Sequence, residues 1–243
     1  MILKDYLSKY SYRPRLILSN PSQDLGIVVV IPSYAEPSIN HALLSLQSCS
    51  RPSCEVEVIV VINQSEAEGE EISQINQRTF EEAKKWEERT SGSRDPGFSV
   101  FSIFEKELPK KHAGVGFARK IGMDEAVRRF KDAEREDGVI ACFDADSSCR
   151  SDYLTELHDH FKRNPETPGC SIRYEHPTFG TEFEPKTYLA VTYYELHLRY
   201  YNQALKASGV PYAYHTVGSS MAVRSNAYQK QGGMNRRKAG EDF

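Results

Sequence analysis

Four short runs rich in β-branched residues punctuate the first part of the chain: Gly26–Ile31, Glu55–Ile62, Phe98–Phe104 and Val139–Phe143. The first, Gly-Ile-Val-Val-Val-Ile, has no polar alternation, as expected of a strand buried on both faces. Pro32 follows it and cannot donate to a ladder, so the strand is expected to end there. Between the runs lie stretches of helical character. These are His41–Cys49, Ser65 to about Thr90, and Val115 to about Phe130. The longest carries an apolar stripe of Ile72, Ile75, Thr79, Phe80, Ala83 and Trp86. Strand and helix in alternation specify a parallel sheet wrapped by helices, an α/β fold. Such sheets bind ligands beyond the carboxyl ends of their strands. Three segments therefore converge on one crevice: Pro32–Glu36, Asn63–Gln64 and Asp144–Asp146.

The rest of the chain supports this frame less regularly. Residues 1–25 are polar and aperiodic and read as an arm. Cys170–Tyr174 and Val217–Val223 read as further strands. Ser225–Gln231 reads as a short helix ended by Gly232-Gly233. Tyr188 to about Ala207 reads as a helix with Leu189, Tyr193, Leu196, Tyr200 and Ala204 along one face. That spacing predicts core packing, with up to two tyrosines left to face the crevice. The many glutamates of the 65–90 helix read as a solvated face. A net charge of −3 offers no bulk basic surface for nucleic acid. No apolar run approaches the ~18 residues of a membrane span, and no signal core opens the chain. Five cysteines without a Cys-x-x-Cys pair read as free thiols in a reducing, cytoplasmic setting.

Chemistry concentrates at Asp144-Ala145-Asp146. Residues i and i+2 of an extended segment share a face, roughly 7 Å apart. Two carboxylates at the end of a buried strand are costly unless a positive group sits beside them. A divalent ion chelated by a diphosphate meets that need. The bland alternative is an Asp-rich turn capping the next helix, and for the motif taken alone it prevails. Gly114-Val-Gly116 opens the third helix beside Lys110, Lys111, Arg119 and Lys120. A diphosphate wall and an ordinary glycine-started helix are evenly matched there. Glu241-Asp242 offers a base for a substrate hydroxyl, but for the pair taken alone a surface acidic pair at a helix start prevails. His112, His197 and His215 lack metal-ligand spacing and read as structural.

In order along the chain, these segments resemble family-2 glycosyltransferases of the GT-A fold, across residues 26–243. Ile31-Pro-Ser-Tyr-Ala-Glu36 resembles the opening segment that lines the nucleotide pocket, which implies donor contacts from Pro32, Ser33, Tyr34 and Glu36. Val60-Val-Ile-Asn-Gln-Ser65 resembles the second-strand end, with Asn63 where an Asp usually meets the base. Gly114-Val-Gly-Phe-Ala-Arg-Lys120 resembles the family's helix start, with Lys120 in place of Asn, and implies donor roles for Gly116, Arg119 and Lys120. Asp144-Ala145-Asp146 matches the metal motif. The resemblance implies that Asp144 and Ala145 meet the donor and that Asp144 and Asp146 hold Mn²⁺ or Mg²⁺. Gly218-Ser219-Ser220, followed by Gly232-Gly-Met234, resembles the acceptor side. Gly240-Glu241-Asp242-Phe243 matches the segment whose Asp serves as base.

The implied fold is a Rossmann-like, mostly parallel sheet with a smaller acceptor-side sheet. Residues 26–150 would form the nucleotide-sugar half and 151–243 the acceptor half of one domain. The implied activity is metal-dependent, inverting transfer from a nucleotide-diphosphate sugar, UDP favoured and GDP allowed. The acceptor would be a hydroxyl of a sugar, a polysaccharide or a lipid-linked glycan. Contact with the inner membrane face is a further expectation, as is more family structure beyond Phe243. Two other readings stay open. A sugar-nucleotide pyrophosphorylase would place a glycine-rich loop after the first strand, where Pro32–Glu36 has none. A non-catalytic nucleotide-sugar-binding module would keep the site without turnover.

Overall fold

The computed structural model describes residues 6–92, 95, 97–215 and 217–235. Its centre is a six-stranded sheet in the order β3-β2-β1-β4-β6-β5. The strands are β1 (Leu25–Ser33), β2 (Glu55–Ser65), β3 (Phe98–Leu108), β4 (Val139–Cys142), β5 (Gly169–Ser171) and β6 (Met221–Arg224). β1 to β4 are mutually parallel, while β6 runs antiparallel to both β4 and β5. This mixed α/β, mostly parallel sheet is the expected one, but among the described residues β5 and β6 join its edge through β4 instead of forming a smaller separate sheet. β1 is buried along its length except at Gly26, as its uninterrupted apolar run requires.

The helices are α1 (Tyr6–Tyr10), α2 (Asn40–Gln47), α3 (Glu70–Thr90), α4 (Val115–Asp132), α5 (Tyr153–Arg163), α6 (Pro185–Ala207) and α7 (Ser225–Lys230). Side chains of α2, α3 and α5 pack on one sheet face, and those of α1, α4 and α7 on the other. Gly122 lets α4 approach closely: a Cβ there would sit 2.4 Å from Val30 Cγ1. Among the described residues no helix is long and apolar enough to cross a membrane.

Several boundaries differ from the sequence expectation. Pro32 does not end β1, which continues to Ser33 in register with Ile62. The reason is the side on which Pro32 lacks a donor. Val30 accepts from Phe143 on the β4 side, so the proline nitrogen two residues later also faces that side, past the last β4 pair. β2 runs on to Ser65, which delays α3 to Glu70. Val217 belongs to a turn, with Ser220 N–H donating to its carbonyl at 2.9 Å, and β6 starts only at Met221. The segment read as an arm is strapped down. Tyr6 and Ile17 are buried, Arg13 pairs with Glu105 at 2.6 Å, and Ile17 N–H donates to Glu125 at 2.9 Å.

The largest departure is α6. Leu189, Tyr193, Leu196 and Tyr200, expected to pack the core, are 58–72% exposed. Only Tyr188 and Glu195 of this helix are buried. The stripe has helical period, but β5 is three residues long and offers no broad face to cover it.

Candidate nucleotide and metal site

The chain passes from β1 outward to β2 and β3, then returns to place β4 on the other side of β1. That reversal leaves a crevice beyond the carboxyl ends of β1 and β4, where ligands of open α/β sheets bind. The loop after β1 carries Tyr34 and Glu36, and the loop after β4 carries Asp144 and Asp146.

The first loop is held from α3. Ala35 has φ +53°, the left-handed region that costs an alanine roughly 1–2 kcal/mol. Its N–H donates to Asn76 Oδ1 at 2.8 Å, which fixes that conformation. Thr79 Oγ1 donates to the Glu36 carbonyl at 2.6 Å. Glu82 takes the Ile39 N–H at 2.7 Å and bonds Asn40, capping α2. Glu68 accepts from the Tyr34 hydroxyl at 3.2 Å. So Glu68 and Glu82, read from sequence as part of a solvated face, are positioning groups. Asn76 and Thr79 also escaped the sequence reading. The legible signal was their place on the apolar stripe side, where a polar residue needs a partner.

The second loop turns at once, with Ser147 N–H donating to the Asp144 carbonyl at 3.2 Å. Ala145 is buried beneath it, and Asp146 is exposed. Arg119, in the second turn of α4, buries its side chain and donates to Asp144 Oδ1 at 3.0 Å. Burial makes a guanidinium seek a carboxylate, and Asp144 supplies it. Burial raises the Glu36 carboxyl above its usual range, and the charges of Asp146 and Asp144 raise it further. Glu36 thus shares its electrostatic environment with both aspartates. Glu36 follows β1, Asp144 and Asp146 follow β4, and Arg119 pairs with Asp144 at the switch point.

Gly116 is buried in the first turn of α4, and Pro32 and Ser33 are buried at the end of β1. The Ser33 hydroxyl has no hydrogen-bond partner among the described residues. Two sequence candidates are engaged by protein groups. Asn63 is buried, and its amide, oriented to satisfy both ends, donates to the Ser33 carbonyl at 3.1 Å and accepts from Gly114 N–H at 3.3 Å. It ties β1, β2 and the start of α4 together, so its amide is already spent on protein groups. Lys120 is also buried. It pairs with Asp124 at 3.1 Å and lies near the Tyr6 hydroxyl, beneath α1, because successive helical residues point about 100° apart. Gly218, Ser219 and Ser220 form the turn before β6, with the Ser220 carbonyl accepting from Ile172 N–H at 2.6 Å. Glu241 and Asp242 lie outside the described residues.

A hard divalent ion suits this donor set, which is all oxygen. Among the described residues no three His, Cys, Asp or Glu side chains form a ready cage for one. An ion here would need further oxygens, and a bound diphosphate has them.

No family model and no curated protein matches the sequence. Solved structures do match in fold. S. aureus TarS 1-349 aligns with 90% of this chain and 53% of its own, at 15% identity and TM-score 0.50. The same fragment in complex with UDP aligns equally well, at 14% identity and TM-score 0.50. This chain therefore spans about half the length of the TarS fragment it matches. Mannosyltransferase PcManGT from Pyrobaculum calidifontis, in complex with GDP-Man and Mn²⁺, aligns over 93% of the chain and 52% of its own at 18% identity and TM-score 0.46. What is shared with TarS is the fold, a mostly parallel α/β sheet of the GT-A type flanked by helices.

Proposed function

We propose that the chain is a nucleotide-sugar glycosyltransferase, dependent on Mn²⁺ or Mg²⁺ and inverting at the anomeric carbon. The observation that carries this reading is the acidic loop after β4, with Asp144 held by buried Arg119 at 3.0 Å and Asp146 two residues on, at the β1/β4 switch point. Elsewhere in the chain a cluster of carboxylates would be a solvated surface. Here it closes the crevice where this sheet topology binds ligands. The UDP seen with TarS supports a uridine nucleotide, with a guanine nucleotide as the second choice.

Asp144 and Asp146 would hold the ion, which when bound neutralises charge growing on the leaving diphosphate. Arg119 fixes Asp144 and keeps one of its oxygens engaged, leaving the other free to turn to a ligand. Asn76 holds the Ala35 turn so that Tyr34 and Glu36 border the nucleotide. The backbone at the α4 N-terminus, opened by Gly114 and Gly116, favours the phosphates. Asp242, by its family resemblance, would take the proton from the acceptor hydroxyl as that oxygen attacks the anomeric carbon opposite the diphosphate. A single displacement of this kind inverts configuration and needs one base. The acceptor is the hydroxyl of a sugar, polysaccharide or lipid-linked glycan, bordered by Gly218, Ser219 and Ser220.

The test is turnover. UDP- and GDP-sugars are incubated with the protein, with and without Mn²⁺, and released nucleotide is measured. Metal-dependent release that is lost in Asp146→Ala is the expected result. Metal-dependent binding without release would make the chain a nucleotide-sugar-binding module instead.

A further inference from the structure

Outside the proposed site, two thiols stand together. Cys49, just past the end of α2, and Cys149, three residues beyond Asp146, have sulfurs 3.6 Å apart. Nothing bonds them covalently. We propose that Cys49 and Cys149 form a redox-sensitive pair whose disulfide staples the acidic loop to α2.

The backbone already holds the two segments side by side. Ser50 N–H donates to the Ser151 carbonyl at 2.7 Å, one residue after Cys49 and two after Cys149. The Cys149 N–H donates to Ser45 Oγ at 3.3 Å, and that oxygen lies 3.6 Å from Cys149 Sγ. Cys49 Sγ sits 3.4 Å from the carbonyls of Ser45 and Arg150. The sulfurs are therefore pinned from both sides, facing each other. A bonded pair needs about 2.05 Å, so closure asks for a movement of roughly 1.5 Å. The loop between Asp144 and Cys149 has no regular structure to resist it.

The contact between the sulfurs lets one thiol give up its proton more readily than an isolated thiol, because the other donates to the thiolate that remains. Cys49 is only 5% exposed, so a small oxidant such as hydrogen peroxide is the fitting reagent. One of the pair, as its thiolate, attacks one peroxide oxygen, expels hydroxide and becomes a sulfenic acid. The other thiol then attacks that sulfur, forms the S–S bond and expels the second oxygen as water. Two thiols and one peroxide give one disulfide and two waters.

Only two residues separate Asp146 from Cys149, so a linked Cys149 restricts where Asp146 can stand. Oxidation is expected to limit its reach to a ligand. The covalent claim stands apart from the nucleotide reading, while the binding consequence rests on it.

The intact protein is treated with hydrogen peroxide, then mapped by peptide mass spectrometry after alkylation of remaining thiols. A link between the peptides of Cys49 and Cys149, reversed by dithiothreitol and missing in both Cys49→Ser and Cys149→Ser, is expected. Cys170→Ser should leave it in place. A link to another cysteine, or both thiols still alkylated after peroxide, overturns the proposal. UDP affinity with Mn²⁺, measured by calorimetry, should fall several-fold on oxidation and return on reduction. Unchanged affinity in a linked protein overturns the staple. If even the reduced protein binds no UDP, the nucleotide reading fails and the mapping alone decides the pair.

Discussion

The two halves of this molecule treat their apolar residues differently. Around β1 and β4 the strands and α4 are almost sealed. Val28, Val29, Val30, Ile59 and Ile140 have no exposed surface, and even Arg119, Lys120, Asp124 and Arg129 are buried. Around α6 a stripe of tyrosines and leucines with equally good helical spacing stands open to solvent. Periodicity predicts which residues share a face. It does not predict whether a partner surface exists to cover that face. In the first half, four parallel strands provide one on each side. In the second, β5 and β6 are too short to do so.

Burial of charge makes the same contrast energetically. Arg129 meets Glu57 through Nη2 at 2.5 Å and Nε at 2.7 Å, both side chains inside the sealed half. Removing one partner strands the other charge. Arg129→Ala is therefore expected to destabilise the fold by about 3–5 kcal/mol, read by chemical denaturation. A cost under ~1 kcal/mol, the size of a surface pair, would erase the contrast. Gly122→Val comes next. Its side chain would meet Val30 at the α4–β1 contact, where a Cβ alone would sit 2.4 Å from Cγ1. Overpacking of that kind costs about 1–3 kcal/mol, visible as a lower Tm.

Glu36 gives a smaller effect, with a sign set by pH. Its carboxyl is raised by burial and by Asp146 and Asp144. A raised acid binds more protons in the folded than in the unfolded chain, so stability falls as pH climbs from the usual glutamate range upward. Glu36→Gln should raise Tm slightly at neutral pH and leave it unchanged well below that range. A lower Tm at neutral pH would show that the ionised group is already compensated. The smallest effect belongs to the open half. Tyr193→Ser and Tyr200→Ser should each change stability by less than about 0.5 kcal/mol, as surface changes do. A loss of several kcal/mol would mean that another surface covers α6 in solution.

The order of elements and the place of the crevice were legible in the sequence, because β-branched runs and helical spacing are local signals. The place of Asp144-Ala145-Asp146 just past β4 was legible for the same reason. The roles of Asn63 and Lys120 were not. Both stand where the resemblance puts a donor contact, though with another residue than the usual one; Asn63 bridges Ser33 and Gly114, and Lys120 pairs with Asp124. Which way a side chain turns at an element's end is set by tertiary neighbours that pattern does not encode. Asn76, Thr79 and Glu82 were hidden likewise, because their partners on the loop after β1 lie some 40 residues away in sequence.

The proposed activity depends on the acidic loop after β4 gripping a cation together with a nucleotide diphosphate. Calorimetry of UDP binding, with and without Mn²⁺, on the parent protein and on Asp146→Ala tests this directly. UDP should bind the parent more tightly with Mn²⁺ than without, and the metal's contribution should vanish in Asp146→Ala while the fold, judged by Tm, is kept. Equal UDP affinity in both proteins at every Mn²⁺ concentration would contradict it.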